Sequence, residues 1–461
     1  MKSKAIYTVT IFYFLTVTSC KKFVEVDTPQ NQLTRSTVFK SDKTANAALL
    51  AIYSQMAGGG LSYNYLSLYP GLLADELVDF TAQNSNIELY TNGVLRNNSA
   101  ISEAWQAMYK FIYEANAIIE GVNASTNLSS NIRKQIRGEA LFTRALIYFY
   151  LINYFGDVPF ITNTNYKENE SLPRSSNTEI YTAIISDLLE AKDLLNANYT
   201  DADGLSPITE RLRPNKSAVT ALLARIYLYL KNYDKANEMS TDVINNGDYH
   251  LENNLDAVFL RNSQEAIWQL SNGPAFNTFE GLIYVLYSYP GYADLNPYLV
   301  NIFSTNDLRK SQWIGTYLEG TDTFYFPNKY KVQYSTDVTE YVMVLRLAEQ
   351  YLIRSEARAN LDDINGANQD LNIIRNRAGL PDTLIATKNE LMDAILKERQ
   401  RELFTEWGHR WFDLKRTGQV DAVMAKITPY KGGTWQLYKA LMPVPQDEIL
   451  KNRRLNQNSG Y

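Results

Sequence analysis

Two stretches of the chain, far apart in sequence, carry the same helix–turn–helix layout, and this recurrence limits the fold more than any other feature. In 217–247 a helical run with Ala224, Tyr227 and Leu228 turns at Asn232-Tyr233 into a second run containing Ala236-Asn237, and Gly247 ends it. In 346–379 the equivalent places hold Ser355, Arg358 and Ala359, the turn is Asp363-Ile364, and the second run contains Ala367-Asn368. The offset between matching positions is constant. Helix pairs with a period of about 34 residues and small residues at the crossing mark tetratricopeptide-like repeats. One such pair cannot bury its apolar face alone, so pairs must stack. A mostly α-helical fold follows. Between the two pairs lies 249–344, rich in Tyr, Asn, Gly and Pro, where Ala266–Leu270 reads as a short strand. Insertions of this kind gather on one side of a helical scaffold, where binding surfaces form.

Further helices are predicted elsewhere. Residues 42–57 read as helical and meet the breaker Gly58-Gly59-Gly60, after which a flexible Tyr-rich loop is expected. Trp105, Met108, Ile112, Ala115 and Ile119 recur at helical spacing, with Gly121 as the closing residue. Ile136, Ala140, Thr143, Ile147, Tyr150 and Tyr154 form one stripe over 133–154, stopped by Gly156-Asp157-Val158-Pro159. Another helix is predicted over 177–196.

Lys2 and Lys4, an apolar run from Ala5 to Leu15, and Val17-Thr18-Ser19-Cys20 have the order of an export signal ending at a lipidated cysteine. The run is too short for the ~20 residues of a membrane-spanning helix. Cys20 is the chain's one cysteine, so no disulfide is available to stabilise an exported protein. The expected division is a signal peptide at 1–19, a lipid anchor and extended tether at 20–40, and a single helical domain at 41–461 carrying the insertion 249–344.

A net charge of −5, with both signs interspersed, offers no basic stripe to neutralise phosphates, which excludes nucleic acid as the partner. Two histidines, without a Cys cluster or a His-Glu-x-x-His motif, point to no metal site and no cofactor. Tyr is the outlier, at 33 of 461 residues. Its ring stacks on apolar faces while its hydroxyl takes a hydrogen bond, which suits helix interfaces and wet binding surfaces alike.

Four stretches carry a family resemblance: the run from Arg137 to Gly156-Asp157-Val158-Pro159; Leu345-Arg346-Leu347-Ala348-Glu349 with its continuation to Ala357; Gly408-His409-Arg410-Trp411-Phe412-Asp413; and Met442-Pro443-Val444-Pro445 with the ending Asn456-Gln457-Asn458-Ser459-Gly460-Tyr461. With the lipidated start, the chain resembles the SusD/RagB family of outer-membrane nutrient-binding lipoproteins. The resemblance implies a SusD-like α-helical fold with about four tetratricopeptide-like helix pairs and a loop-rich insertion with short strands. It implies a lipid anchor in the outer membrane, exposure at the cell surface, and a SusC-like TonB-dependent transporter as partner. It also implies binding without catalysis. The ligand is an oligosaccharide or polysaccharide, or a peptide in RagB-like members, held by variable loops before import.

The charged clusters read as structural. Glu398, Arg401, Glu402 and Glu406 have the spacing of a solvated or interface helix face. Trp411 and Phe412 are expected between helices, with Arg410 and Asp413 satisfying each other or nearby backbone, and His409 has no nucleophile beside it. Asp75-Glu76 and Asp79 offer the carboxylates a glycosidase needs, but adjacent residues diverge, and a structural or ligand-contacting role is expected. Asp201-Ala202-Asp203-Gly204 fits a plain turn as readily as a calcium loop. No catalytic residue is predicted.

A pyranose presents an apolar face for stacking and a ring of hydroxyls for planar polar groups. Three stretches have that composition: Tyr63, Asn64, Tyr65 and Tyr69, continuing to Tyr90 and Arg96; Phe276, Phe279, Tyr284, Tyr287, Tyr289 and Tyr292; and Trp313, Tyr317, Phe324, Tyr325 and Asn328. Tyr63, Tyr65, Tyr284 and Trp313 are the expected stacking rings, with Asn64 and Arg96 expected at the hydroxyls.

Overall fold

The computed structural model describes residues 35–461. Cys20, the signal peptide and most of the tether lie outside the described residues. The tether's last residues, Arg35–Val38, form a helical turn in place of the expected extended chain.

The long helices are α1 (Asp42–Gly58), α2 (Ser99–Ala124), α3 (Ser130–Phe155), α4 (Asn177–Leu194), α5 (Lys216–Tyr229), α6 (Tyr233–Ile244), α7 (Leu347–Asn360), α8 (Ile364–Arg377), α9 (Lys388–Leu403), α10 (His409–Arg416) and α11 (Val420–Tyr430). Seven of them begin at a side-chain cap. Side-chain oxygens of Ser41, Asn98, Ser176, Asn215, Asn232, Asp363 and Thr387 each accept from the backbone N–H three residues on. Packing then runs along the chain: α2 on α3, α3 on α4, α4 on α5, α5 on α6, α6 on α7, and α7 on both α8 and α9. α3/α4, α5/α6 and α7/α8 form stacked pairs, α1 packs on both α2 and α3, and the recurrent segments of the sequence are the last two pairs. Small residues do sit at the crossings: Ala224 and Ala236 are fully buried between α5 and α6, and the Ser355 hydroxyl donates to the Ala367 carbonyl at 2.7 Å between α7 and α8. α3, enclosed by α2 and α4, is buried almost all round.

Two local expectations are corrected. α2 runs through Gly121 to Ala124, because this glycine serves a close approach and not a helix stop. A Cβ there would meet the Phe39 ring at 2.0 Å. After Gly60 the chain is not a flexible loop. It forms a wide π-type helix, Leu61–Leu68, that runs into Tyr69–Leu73 and buries Leu61, Leu66, Leu68 and Leu72 against α1 and α2.

The strands form three two-stranded antiparallel ribbons: β1 (Leu77–Asp79) with β3 (Ala293–Leu295), β2 (Ala266–Leu270) with β6 (Val342–Arg346), and β4 (Ile314–Glu319) with β5 (Asp322–Pro327). β2/β6 is buried at every position and joins the insertion to α7.

The Glu398–Glu406 face is not solvated. Glu402 is fully buried and takes Arg309 at 3.0 Å, Arg346 at 2.6 Å and Arg377 as well. Arg309 also holds Asp307 at 2.9 Å and Glu398 at 2.6 Å, and Arg346 and Arg377 hold Glu265 at 2.8 and 2.5 Å. Lys329 donates to Glu406 at 2.5 Å and to the carbonyls of Glu402 and Phe404. Burying such charges costs several kcal/mol each unless they are paired and hydrogen-bonded, as all of these are. Burial alone would push the Glu402 carboxyl up, but Arg377, Arg346 and Arg309 outweigh it and hold the group well below its usual range. The hub ties the insertion, the β2/β6 ribbon, α8 and α9 into one body. Of the expected spacing pairs, Glu398 with Arg401 does form, at 3.3 Å.

Candidate functional site

Strand register assembles a surface of rings. β1 and β3 pair as Leu77 with Leu295, Val78 with Asp294 and Asp79 with Ala293, and the ladder continues as the Phe80 N–H donates to the Tyr292 carbonyl at 2.8 Å. β3 lies along β5, whose hairpin with β4 sets Tyr317 opposite Phe324 and Glu319 opposite Asp322. Phe80, Tyr289 and Phe324 therefore meet, with centroids 5.2 to 5.7 Å apart and planes near perpendicular. That edge-to-face packing is favourable for aromatic quadrupoles. Tyr289 is 56 % exposed, while Phe80 and Phe324 are half-buried.

A second group adjoins. Tyr63 stacks on Phe279 at 4.7 Å and 21°, and Phe279 packs on Phe276 at 4.7 Å. Tyr292, 45 % exposed, belongs to the first group through its backbone pairing with Phe80. Burial, then Glu280 and Tyr292, raise the Tyr63 phenol above its usual value. Under the rings lie two buried acids. Burial pushes Glu280 and Asp294 each up to about 7.

Of the six predicted ligand residues, Tyr63 keeps a ring at the surface. Three expectations are corrected. Trp313 has no exposed area; its indole N–H donates to the Leu255 carbonyl at 3.0 Å, and its face lies over Lys329 at 4.9 Å and the Arg346 and Arg377 guanidiniums at 5.9 and 5.8 Å. It roofs the ionic hub. Tyr284 is 2 % exposed, with its hydroxyl bonded to Ser67 at 2.8 Å. Tyr65 is buried against Tyr69, and its carbonyl accepts from Tyr154. None of the three offers a face to stack on. Asn64 is half-buried beside Tyr63. Arg96 is exposed, and its carbonyl accepts from the Gln446 N–H, which ties it to the C-terminal segment. Phe80 is a ring the sequence reading missed; its signal was its place directly after a three-residue strand.

Of the acidic candidates, Asp75 and Glu76 are interior and Asp79 is half-buried, accepting from Thr81. Asp75 makes a two-pronged pair with Arg410 at 2.7 Å on both oxygens, and Glu76 is buried, pushed up to about 8 by burial and by Asp75. Arg410 thus serves Asp75, and Asp413 takes Arg399 at 2.7 Å and Arg416 at 2.6 Å, which corrects the expected Arg410–Asp413 pair. Trp411 and Phe412 are buried between helices as expected. His409 is buried, and burial followed by Arg225 holds it well below its usual value. Asp203 forms a turn by accepting from the Leu205 and Ser206 N–H groups at 2.8 Å.

Residues 22–228 match a family model described as starch-binding, associating with outer membrane, and residues 303–461 match the model of the SusD family. A SusD-like protein of Formosa agariphila is 25 % identical over 98 % of both chains. A laminarin-binding SusD-like protein superposes with a TM-score of 0.77 at 23 % identity, over 92 % of this chain and all of its own. The surface glycan-binding protein A of Bacteroides thetaiotaomicron, solved in complex with laminarihexaose, superposes with a TM-score of 0.76 at 19 % identity, over 91 % of this chain and 99 % of its own.

Proposed function

We infer, from the premise that this chain belongs to the SusD/RagB family of glycan-binding, outer-membrane-associated proteins, that it captures an oligosaccharide or polysaccharide and passes it to a SusC-like TonB-dependent transporter. The observation that carries this reading is the group of exposed and half-buried rings Tyr63, Tyr292, Tyr289, Phe80 and Phe324, assembled where the insertion meets residues 63–80. Such rings stack on the C–H faces of successive sugars, and the tyrosine hydroxyls take the equatorial hydroxyls. No bond is broken. Glycan binding by the similar proteins supports the ligand class.

Among the described residues no helix is long and apolar enough to cross a membrane. A diacylglyceryl group on Cys20 would supply the attachment, with residues 20–40 linking it to the helical domain. The test is native affinity electrophoresis of the soluble protein beginning at Lys21 through gels holding plant, microbial and host polysaccharides. Retardation by one polymer, reduced by Tyr289→Ala, is the expected result. Retardation by none, with binding of an extended peptide, would replace the reading with peptide capture.

A further inference from the structure

The ring surface is built from three segments, 61–95, 262–308 and 311–328, and none of them contains a lysine or an arginine. Besides the buried Asp75, Glu76, Glu265 and Asp307, the same segments contain Asp79, Glu88, Glu280, Asp294, Glu319 and Asp322. Two of these acids border the rings in the open. Residues alternate faces along a strand, so Tyr317 and Glu319 share a face of the β4/β5 hairpin, and their register partners Phe324 and Asp322 share it with them. The Tyr317 hydroxyl donates to Glu319 at 2.6 Å, which fixes that side. Phe324 of this face packs on Phe80 and Tyr289, and Glu319 and Asp322 are both exposed.

Several cations of neighbouring elements are engaged, and the exposed Arg96, next after the first segment, is tied through its carbonyl to the C-terminal Gln446. Lys431 lies under the Tyr90 ring at 5.2 Å, buried, with its ammonium donating to the carbonyls of Leu72, Leu73 and Ala74. Arg410 is held by Asp75. Lys329 belongs to the hub, and Lys331 pairs with Asp256 at 2.9 Å. A sugar carboxylate or sulfate laid on the rings would meet exposed carboxylates and no uncommitted guanidinium from the segments that form the floor. Like charges brought together at a binding surface are a means of rejecting a ligand.

We propose that the ring surface selects uncharged glycans and rejects polyanionic ones. This rests on the glycan reading above. The test uses the soluble protein from Lys21 in affinity gels with neutral polymers (laminarin, xylan, galactomannan) and polyanionic ones (alginate, polygalacturonate, carrageenan), at low salt where charge effects are largest. The expected result is retardation by at least one neutral polymer, lost on Tyr289→Ala, and at least tenfold weaker retardation by every polyanion. Retardation by a polyanion that Tyr289→Ala abolishes would overturn the selectivity while keeping the glycan reading. Retardation by neither class would overturn the glycan reading and this inference with it.

Discussion

Replacing Arg346 by Met tests whether the ionic hub holds the fold together. Arg346 is 2 % exposed and donates to Glu265 at 2.8 Å, to the Glu402 carboxylate at 2.6 Å and carbonyl at 2.8 Å, and to both oxygens of Glu406 at 2.8 and 2.9 Å. Methionine keeps the bulk and removes the charge. Glu265 and Glu402 then depend on Arg377 and Arg309, and Glu406 on Lys329. Breaking a buried pair by removing one partner costs about 3 to 5 kcal/mol. That loss is expected in urea unfolding at pH 7, against a change within about 0.5 kcal/mol for the exposed Arg453→Met. The pH dependence adds a second check. In the wild type Glu402 and Glu406 are held below 4.5, so their stabilisation is full above that value and is lost as pH falls through the folded-state value. In the variant both folded-state values rise, so the deficit is largest above about pH 5 and narrows in acid. A loss under about 1 kcal/mol, or one that does not change with pH, would refute a cooperative hub.

Other outcomes follow from single sites. Burial raises Glu280 from 4.5 to about 7, so it destabilises the fold progressively as pH rises from 4.5 to 7 and fully above that; Glu280→Gln should add about 3 kcal/mol in urea unfolding at pH 8 and nothing near pH 4. Gly121→Ala should lower the unfolding free energy by about 1 to 3 kcal/mol as Phe39 is displaced, where a free helical site would gain about 1, and the direction of the shift in circular dichroism melts will give the sign. On an identified glycan, Tyr289→Ala and Phe324→Ala should each weaken binding by about tenfold in calorimetry. Trp313→Phe should leave that affinity unchanged while lowering thermal stability, because the indole covers the hub and not the ligand.

The helix pairs were legible because their information is local. Caps such as Asn232 and Asp363, and the crossing residues Ala236, Ala367 and Ser355, lie within one repeat and act there. The ring surface was legible as a region and not as residues. Tyr284 and Tyr289 stand five apart in one Tyr-rich stretch, yet Tyr284 turns inward because Ser67, distant in sequence, accepts its hydroxyl, while Tyr289 stays out. The Glu398–Glu402 spacing fits a solvated face and a buried one equally, since the cations that decide between them, Arg309, Arg346 and Arg377, come from three other elements. Phe80 follows a strand too short to show a period of two.

The two regions that composition could not separate are the two ends of one hairpin. Its root is Trp313, directly before β4, closed by the Asn328 N–H donating to the Trp313 carbonyl at 2.8 Å, with Lys329 next in the chain. Trp313 and Lys329 are buried in the hub. The other end carries Tyr317, Phe324, Glu319 and Asp322 into the ring surface. An aromatic-rich stretch of this kind serves two purposes at opposite ends, and only register and burial tell them apart. The root needs a ring that packs over cations in a dry interior, and Trp with its single donor satisfied does so. The surface end needs rings braced by one another with faces left open, and Phe324 against Phe80 and Tyr289 does so. With the root clamped by buried ion pairs, residues at the surface end can be exchanged without unseating the hairpin, which suits a scaffold whose ligand is set by its insertions.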